Sequence, residues 1–280
     1  MDWLTQDKIP VGRTAKQIVD WLTNNFAWFF DGLAVLMQAF IDGLMFVLKY
    51  PPPLVMIVIF AAIAYALRRS IGVTILTVLG FLFILNQGYW QETMETLTLV
   101  LSSCILCMGI GVPIGIIAAH RPKFYAAIRP VLDLMQTLPT FVYLIPAIVF
   151  FGIGMVPGLL ATAIFVLPAP IRLTHLGVSS TPLHLIEAGE AFGASSRQLL
   201  WKIELPYAMP QILAGLTQTI MLSLSMVVIA ALVGADGLGV PVVRALNSVN
   251  TALGFEAGLV IVVVAIVLDR IFRPGKEAGE

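Results

Sequence analysis

What most limits the fold of this chain is a series of apolar runs, among them "LTLVLSSCILCMGIGVPIGIIAA" at 97–119 and "GLVIVVVAIVL" at 258–268. A bilayer's hydrocarbon core is roughly 30 Å thick and takes about 20 helical residues to cross. The runs therefore specify an all-α polytopic membrane protein with a single membrane domain. A mean hydropathy of +0.96 agrees, with 59% hydrophobic and 11% charged residues. Spans are expected over 51–67, 71–87, 94–119, 134–153, 157–176, 207–233 and 253–272, seven in all.

Charge narrows the function. The net charge is zero, so there is no electrostatic footprint for nucleic acid and no basic run for anionic lipid. Cys104 and Cys107 lie three apart inside an apolar run, a setting that argues against a disulfide or a metal site. "MDWLTQDKIP" lacks a basic segment leading straight into an apolar core, so no cleaved signal peptide is expected there.

The segment before the first span differs. Asp20, Asn24, Asp31, Gln38, Asp42 and Lys49 recur at steps of four and seven, one polar stripe beside a wide apolar side. Aspartates in mid-bilayer cost about 2.5 to 3.5 kcal/mol each on the insertion scale. Residues 15–50 are accordingly read as an amphipathic interfacial helix, the alternative being a span whose stripe faces a bundle interior. This divides the chain into 1–50, a membrane domain 51–273 and a tail 274–280. Arg68, Arg69, Arg121, Lys123, Arg129, Arg172, Arg197, Lys202, Arg270, Arg273 and Lys276 all fall on one side of a seven-span chain. Positive loops mark the cytoplasm, which places the C-terminus inside and the N-terminus outside.

One polar segment interrupts the apolar pattern on that cytoplasmic side, at 178–206. Thr181 and Pro182 are suited to start a short helix, with Leu185, Ala188 and Phe192 on one side and His184, Glu187 and Glu190 spread over the other. Gly193 is placed to end it in a left-handed conformation, Ser195 or Ser196 to cap a second helix, and Pro206 to stop that helix before the next span. Periodicity alone allows a solvated loop. The spacing says more: Glu187-Ala188-Gly189, three residues, Gly193, nine residues, then Ile203-Glu204-Leu205-Pro206 resembles the EAA loop of bacterial ABC-importer permeases. Gly189 departs from that pattern, standing where the family has a second alanine.

"GYWQETMETL", "RPVLDLMQTLPTFVYLIP" and "MLSLSMVVIAALVGADGLG" resemble the permeases of glycine betaine, proline betaine and choline uptake systems, over about residues 50 to 272. The resemblance implies the transmembrane fold of a type I ABC importer in a bacterial inner membrane. It also implies two permease copies, two ATPase subunits that bind ATP and magnesium, and an extracytoplasmic protein that captures quaternary ammonium compounds such as glycine betaine, choline or carnitine. By resemblance, Glu187, Ala188, Gly189, Gly193, Ile203, Leu205 and Pro206 belong to the helix that docks on the ATPase. No cofactor is expected in this chain, which has no G-x-x-x-x-G-K-[ST] to hold a nucleotide.

Candidates for the translocation path come from the residues themselves. Asp133, Gln136, Thr140 and Tyr143 recur at i, i+3, i+7 and i+10, with Pro139 and Pro146 interrupting the backbone bonding. Gln211, Gln218 and Ser225 repeat at intervals of seven on a later span. Such groups either wall a pathway or join helices by hydrogen bonds worth about 0.6 kcal/mol each. Phe141 and Tyr143 offer aromatic faces to a cation and Asp236 a carboxylate, although the glycines around Asp236 suit a plain turn equally well. Three other functions compete: an ABC permease for another small amine or amino acid, a secondary transporter, and an intramembrane enzyme using His184, Glu187 and Glu190 as metal ligands. The chain shows neither marked inverted repeats nor intramembrane charge pairs for the second, and no second histidine nearby for the third.

Overall fold

The computed structural model describes residues 10–273, which form thirteen α-helices and one π-helical turn with no strand among them. Expectations for "MDWLTQDKI", Lys276 and the tail 274–280 lie outside the described residues. Helix α1 (Val11–Lys49) is followed by two short apolar helices, α2 (Pro53–Arg68) and α3 (Ile71–Asn86), and then by α4 (Trp90–His120). Next come α5 (Pro122–Thr137), α6 (Thr140–Phe151), α7 (Met155–Val166) and α8 (Pro168–Ser179). The polar segment holds α9 (Leu183–Ala191), α10 (Ser196–Leu199) and the π turn (Leu200–Glu204). Helices α11 (Leu205–Ala231), α12 (Gly239–Ser248) and α13 (Thr251–Phe272) complete the chain.

At the centre α4, α8 and α11 pack backbone to backbone. A Cβ added to Gly115 of α4 would sit 2.7 Å from the Ile171 carbonyl oxygen and 2.6 Å from the Thr174 Cβ of α8. Gly177 of α8 meets Ala208 and Gln211 of α11 in the same way. In lipid, where apolar surface gains little from leaving its solvent, such close packing supplies the attraction between helices. Three core threonines, Thr98, Thr162 and Thr219, each donate to the carbonyl four residues back at 2.8 Å, whereas the buried hydroxyls of Ser102 and Thr174 have no partner among the described residues. Ser223 Oγ donates to Ser103 Oγ at 3.0 Å, tying α11 to α4 in mid-bundle. The Leu238 N–H donates to Thr96 Oγ1 at 2.8 Å and ties the turn before α12 to α4.

Helix α1 packs along the bundle. Met37, Ile41 and Leu48 are buried in the main core, Phe30 stacks on Phe150 at 4.3 Å, and Lys49 donates to Glu95 at 2.6 Å. Part of its apolar side, Phe30, Leu33 and Met37, packs toward α4, α6 and α7, while Trp28, Phe29, Leu36 and Phe40 remain exposed. The polar stripe of Asp20, Asn24, Asp31, Gln38 and Asp42 stays exposed, with Gln38 donating to Asp42 at 2.8 Å.

The span count also changes. Five helices or continuous helix pairs are long and apolar enough to cross a bilayer, α1 among them, and a sixth is added if α5 and α6 form one broken span. Helices α2 and α3 have only 16 residues each, about 24 Å at 1.5 Å per residue. Their ends nevertheless match those of α13: Arg68 donates to the Arg273 carbonyl, and the Tyr89 hydroxyl lies 3.4 Å from Glu256. The expected span 134–153 becomes two helices that meet at a 95° bend. Leu138 precedes a proline and is driven to an extended conformation (ψ 136°), and Pro139 has no N–H with which to continue the ladder.

Candidate functional site: a helical loop continuous with a span

The polar segment folds as two short helices around one sharp reversal. Helix α9 ends in a complete Schellman motif: Gly193 N–H donates to Glu190 O at 2.8 Å and Ala194 N–H to Gly189 O at 3.0 Å. Gly193 sits at φ +78°, where a side chain is strained, so the residue expected to end the helix does so. Ser195 then caps α10 in a capping box, its N–H donating to Gln198 Oε1 at 2.8 Å. Thr181 caps nothing. Pro182 adopts an extended conformation, α9 starts one residue later at Leu183, and Thr181 Oγ1 is buried without a partner.

Pro206 does not stop the second helix. Ser196–Ala231 forms one helical rod of 36 residues, with Pro206 in the first turn of α11. Since Pro206 has no N–H to offer the carbonyl four residues back, the backbone widens locally, and Leu205 N–H reaches Leu200 O, five residues back. The departure at Gly189 also has a physical reason. A Cβ there would lie 2.6 Å from both Ile203 Cδ1 and Leu199 Cδ2, so the missing methyl lets α9 fold down onto the π turn.

Burial divides this site sharply. No residue of α9 is buried, and Leu183, Leu185 and Phe192 expose apolar side chains, Phe192 to 93%. Glu187 and Ala188 are exposed as well. Leu199 and Glu204, by contrast, are buried, and Glu204 faces His120 at the end of α4, with His120 Nε2 at 2.9 and 3.1 Å from the two carboxylate oxygens. Sequence reasoning takes Glu204 only as part of the Ile203–Pro206 pattern and His120 only as an interfacial polar group, and misses their pairing, since 84 positions separate them and no spacing rule links them.

The path candidates are dispersed. The bend puts Asp133 and Gln136 on α5 but Thr140, Phe141 and Tyr143 on α6, so they share no single helical face. The Tyr143 ring is buried, and its hydroxyl donates to the carbonyls of Met135 and Leu134 that end α5. Asp133 accepts from Arg172 Nη2 at 2.6 Å, which joins α5 to α8. Phe141 is 56% exposed. On α11, Gln211, Gln218 and Ser225 share the exposed side of a helix whose other side is core. Asp236 is exposed in a turn between Gly234 (φ +85°) and Gly237 (φ +125°). Two large cavities, of about 760 and 660 Å³, are almost wholly apolar and take in none of these residues. Among the described residues no three His, Cys, Asp or Glu side chains gather as a metal site, and His184, Glu187 and Glu190 stand apart on exposed helix.

Residues 111–273, which contain the whole loop, match the family of binding-protein-dependent transport system inner membrane components. The chain belongs to that family. Within it, this permease is 49% identical over 264 residues to the glycine betaine transport system permease protein OpuAB of Bacillus subtilis, covering 94% of this chain and 93% of that one. It is 43% identical over 263 residues to the glycine betaine/proline betaine permease protein ProW of Escherichia coli, covering 94% of this chain and 74% of that one. A chain of the inward-facing MetNI methionine ABC transporter superposes with a TM-score of 0.58 at 24% identity, over 69% of this permease and 96% of that chain. That likeness concerns the fold: this is the transmembrane fold of a type I ABC importer.

Proposed function

We propose that this permease carries quaternary ammonium compounds, of which glycine betaine is the first to test, through a bilayer at the expense of ATP hydrolysed on a separate subunit. Two copies of the chain would form the pathway, two ATPase subunits would bind ATP and magnesium, and an extracytoplasmic protein would deliver substrate. The chain itself performs no chemistry. One observation carries the reading: an exposed helix with an apolar side, α9, is folded onto a 36-residue rod that runs through the bundle. Such an element can receive a push outside the membrane and deliver it inside as rigid-body motion. Leu185, Ala188 and Phe192 share the docking side, and Glu187 supplies a charge for the partner to meet.

The exposed seam of Gln211, Gln218 and Ser225 on α11 supports a pathway wall completed by the second copy, with Gln136, Thr140, Phe141 and Asp236 as further contributors. Tyr143 serves this wall as a brace, its hydroxyl being spent on α5. We place the loop in the cytoplasm. Counting α1, α2 and α3 as crossings brings the N-terminus to that side too, in place of the outer side expected from seven spans. The Lys49–Glu95 pair supports this, because it sets the end of α1 beside the start of α4.

The test is reconstitution in liposomes with the ATPase and binding protein, following radiolabelled glycine betaine. ATP-dependent uptake that needs all three components is the expected result. Uptake driven by an ion gradient without ATP would reject the reading.

A further inference from the structure

We infer that His120 is a positioning residue for energy coupling: it fastens the base of the rod Ser196–Ala231 to the end of α4, so that the loop moves α4 and α11 as one body. This rests on the reading of 178–206 as the coupling loop.

The geometry is specific. His120 is in the last turn of α4, and its Nδ1 lies 2.9 Å from the Ile116 carbonyl oxygen. A carbonyl only accepts, so Nδ1 carries a hydrogen and the ring is fixed against its own helix. Its Nε2 then meets both oxygens of Glu204, at 3.1 and 2.9 Å, so the ring bridges the end of its own helix and the base of the rod. Glu204 is 7% exposed and, among the described residues, its carboxylate has no other hydrogen-bond partner. It belongs to the π turn, where α10 passes into α11. Farther along α4 come the Ser103–Ser223 bond to α11 and the Thr96–Leu238 bond to the turn before α12. Two polar ties thus join α4 to the rod, and His120–Glu204 is the one nearer the loop. Beyond them, Glu95 near the opposite end of α4 holds Lys49 of α1, so whatever displaces α4 also reaches α1.

The experiment measures glycine betaine taken up per ATP hydrolysed, with the complete transporter in liposomes. His120→Ala is expected to go on hydrolysing ATP while uptake per ATP falls at least about tenfold, the scale of a typical coupling free energy. His120→Gln, whose amide can still donate to Glu204, is expected to recover most of that ratio. A double variant, His120→Leu with Glu204→Leu, removes the buried charge together with its partner. It is expected to assemble normally and remain poorly coupled, and it decides the matter if His120→Ala does not assemble. A wild-type ratio in His120→Ala, or a restored ratio in the double variant, overturns the inference, the latter by reducing His120 to a neutraliser of buried charge. Gly193→Val separates the two levels: if it too keeps a normal ratio, the coupling-loop reading fails, whereas a defect there beside a normal His120→Ala defeats this inference alone.

Discussion

The two arms of the polar segment are built to opposite specifications. Helix α9 buries no residue and turns Leu183, Leu185 and Phe192 outward, whereas α10 and the π turn bury Leu199 and Glu204 and pass without interruption into α11. Apolar side chains exposed together on a short helix are unsatisfied until something covers them. A buried carboxylate is stable only where a partner meets it. The first arm is therefore an open contact surface and the second a fixed mounting, and Gly193 is the joint between them.

Breaking that joint should have the largest effect. Gly193→Val puts a β-branched residue at φ +78°, and uptake is expected to fall to below roughly a tenth of wild type, since a left-handed L-residue costs about 1–2 kcal/mol and valine is among the worst placed. Gly193→Asn, a residue tolerated in that conformation, should retain most uptake; equal loss in both would show that the backbone angle is not what matters. Phe192→Ser tests the open arm alone. Removing an aromatic that becomes buried on docking costs about 1.5–3 kcal/mol, so binding of the ATPase subunit in a pull-down titration should weaken by roughly 10- to 100-fold, with the permease's own thermal stability unchanged.

Ser195→Ala tests the mounting. Loss of the cap costs about 0.5–2 kcal/mol, to be read as a lower melting temperature in detergent, with ATPase binding kept. The smallest change is expected from Gly189→Ala. The ends of the Ile203 and Leu199 side chains must give way, but they are flexible, so uptake should stay within about twofold of wild type. A tenfold loss would mean that the two arms are packed too tightly to yield.

Local chemistry made the joint and the cap readable in advance. A left-handed glycine and a serine ahead of a helix act within four residues of themselves, and Gly193 and Ser195 do what their positions dictate. Thr181 and Pro206 mislead for the same reason: each rule for them is local, but burial removes Thr181 from its turn and the bundle carries the helix on past Pro206. The apolar runs likewise identify the membrane class but not the crossings. A helix such as α1, with a stripe of acids, satisfies both an interfacial and a spanning pattern, and its packing on α4, α6 and α7 is compatible with either. The path candidates on 133–143 share a face only if the helix is straight, and Pro139 bends it by 95°. His120–Glu204 and Lys49–Glu95 depend on which ends the topology brings together, and one sequence without its fold does not contain that information.

The widened turn at Leu200–Glu204 amounts to one surplus residue in an otherwise regular coil. A wide turn advances less per residue than the roughly 100° of an α-helix, so its five residues sweep nearly the angle that four would, and excising one amino acid there would tighten the turn while leaving the arm beyond it facing almost the same way. The surplus residue is thus absorbed where it sits, and a family member without it would still present α9 on the same side of the rod.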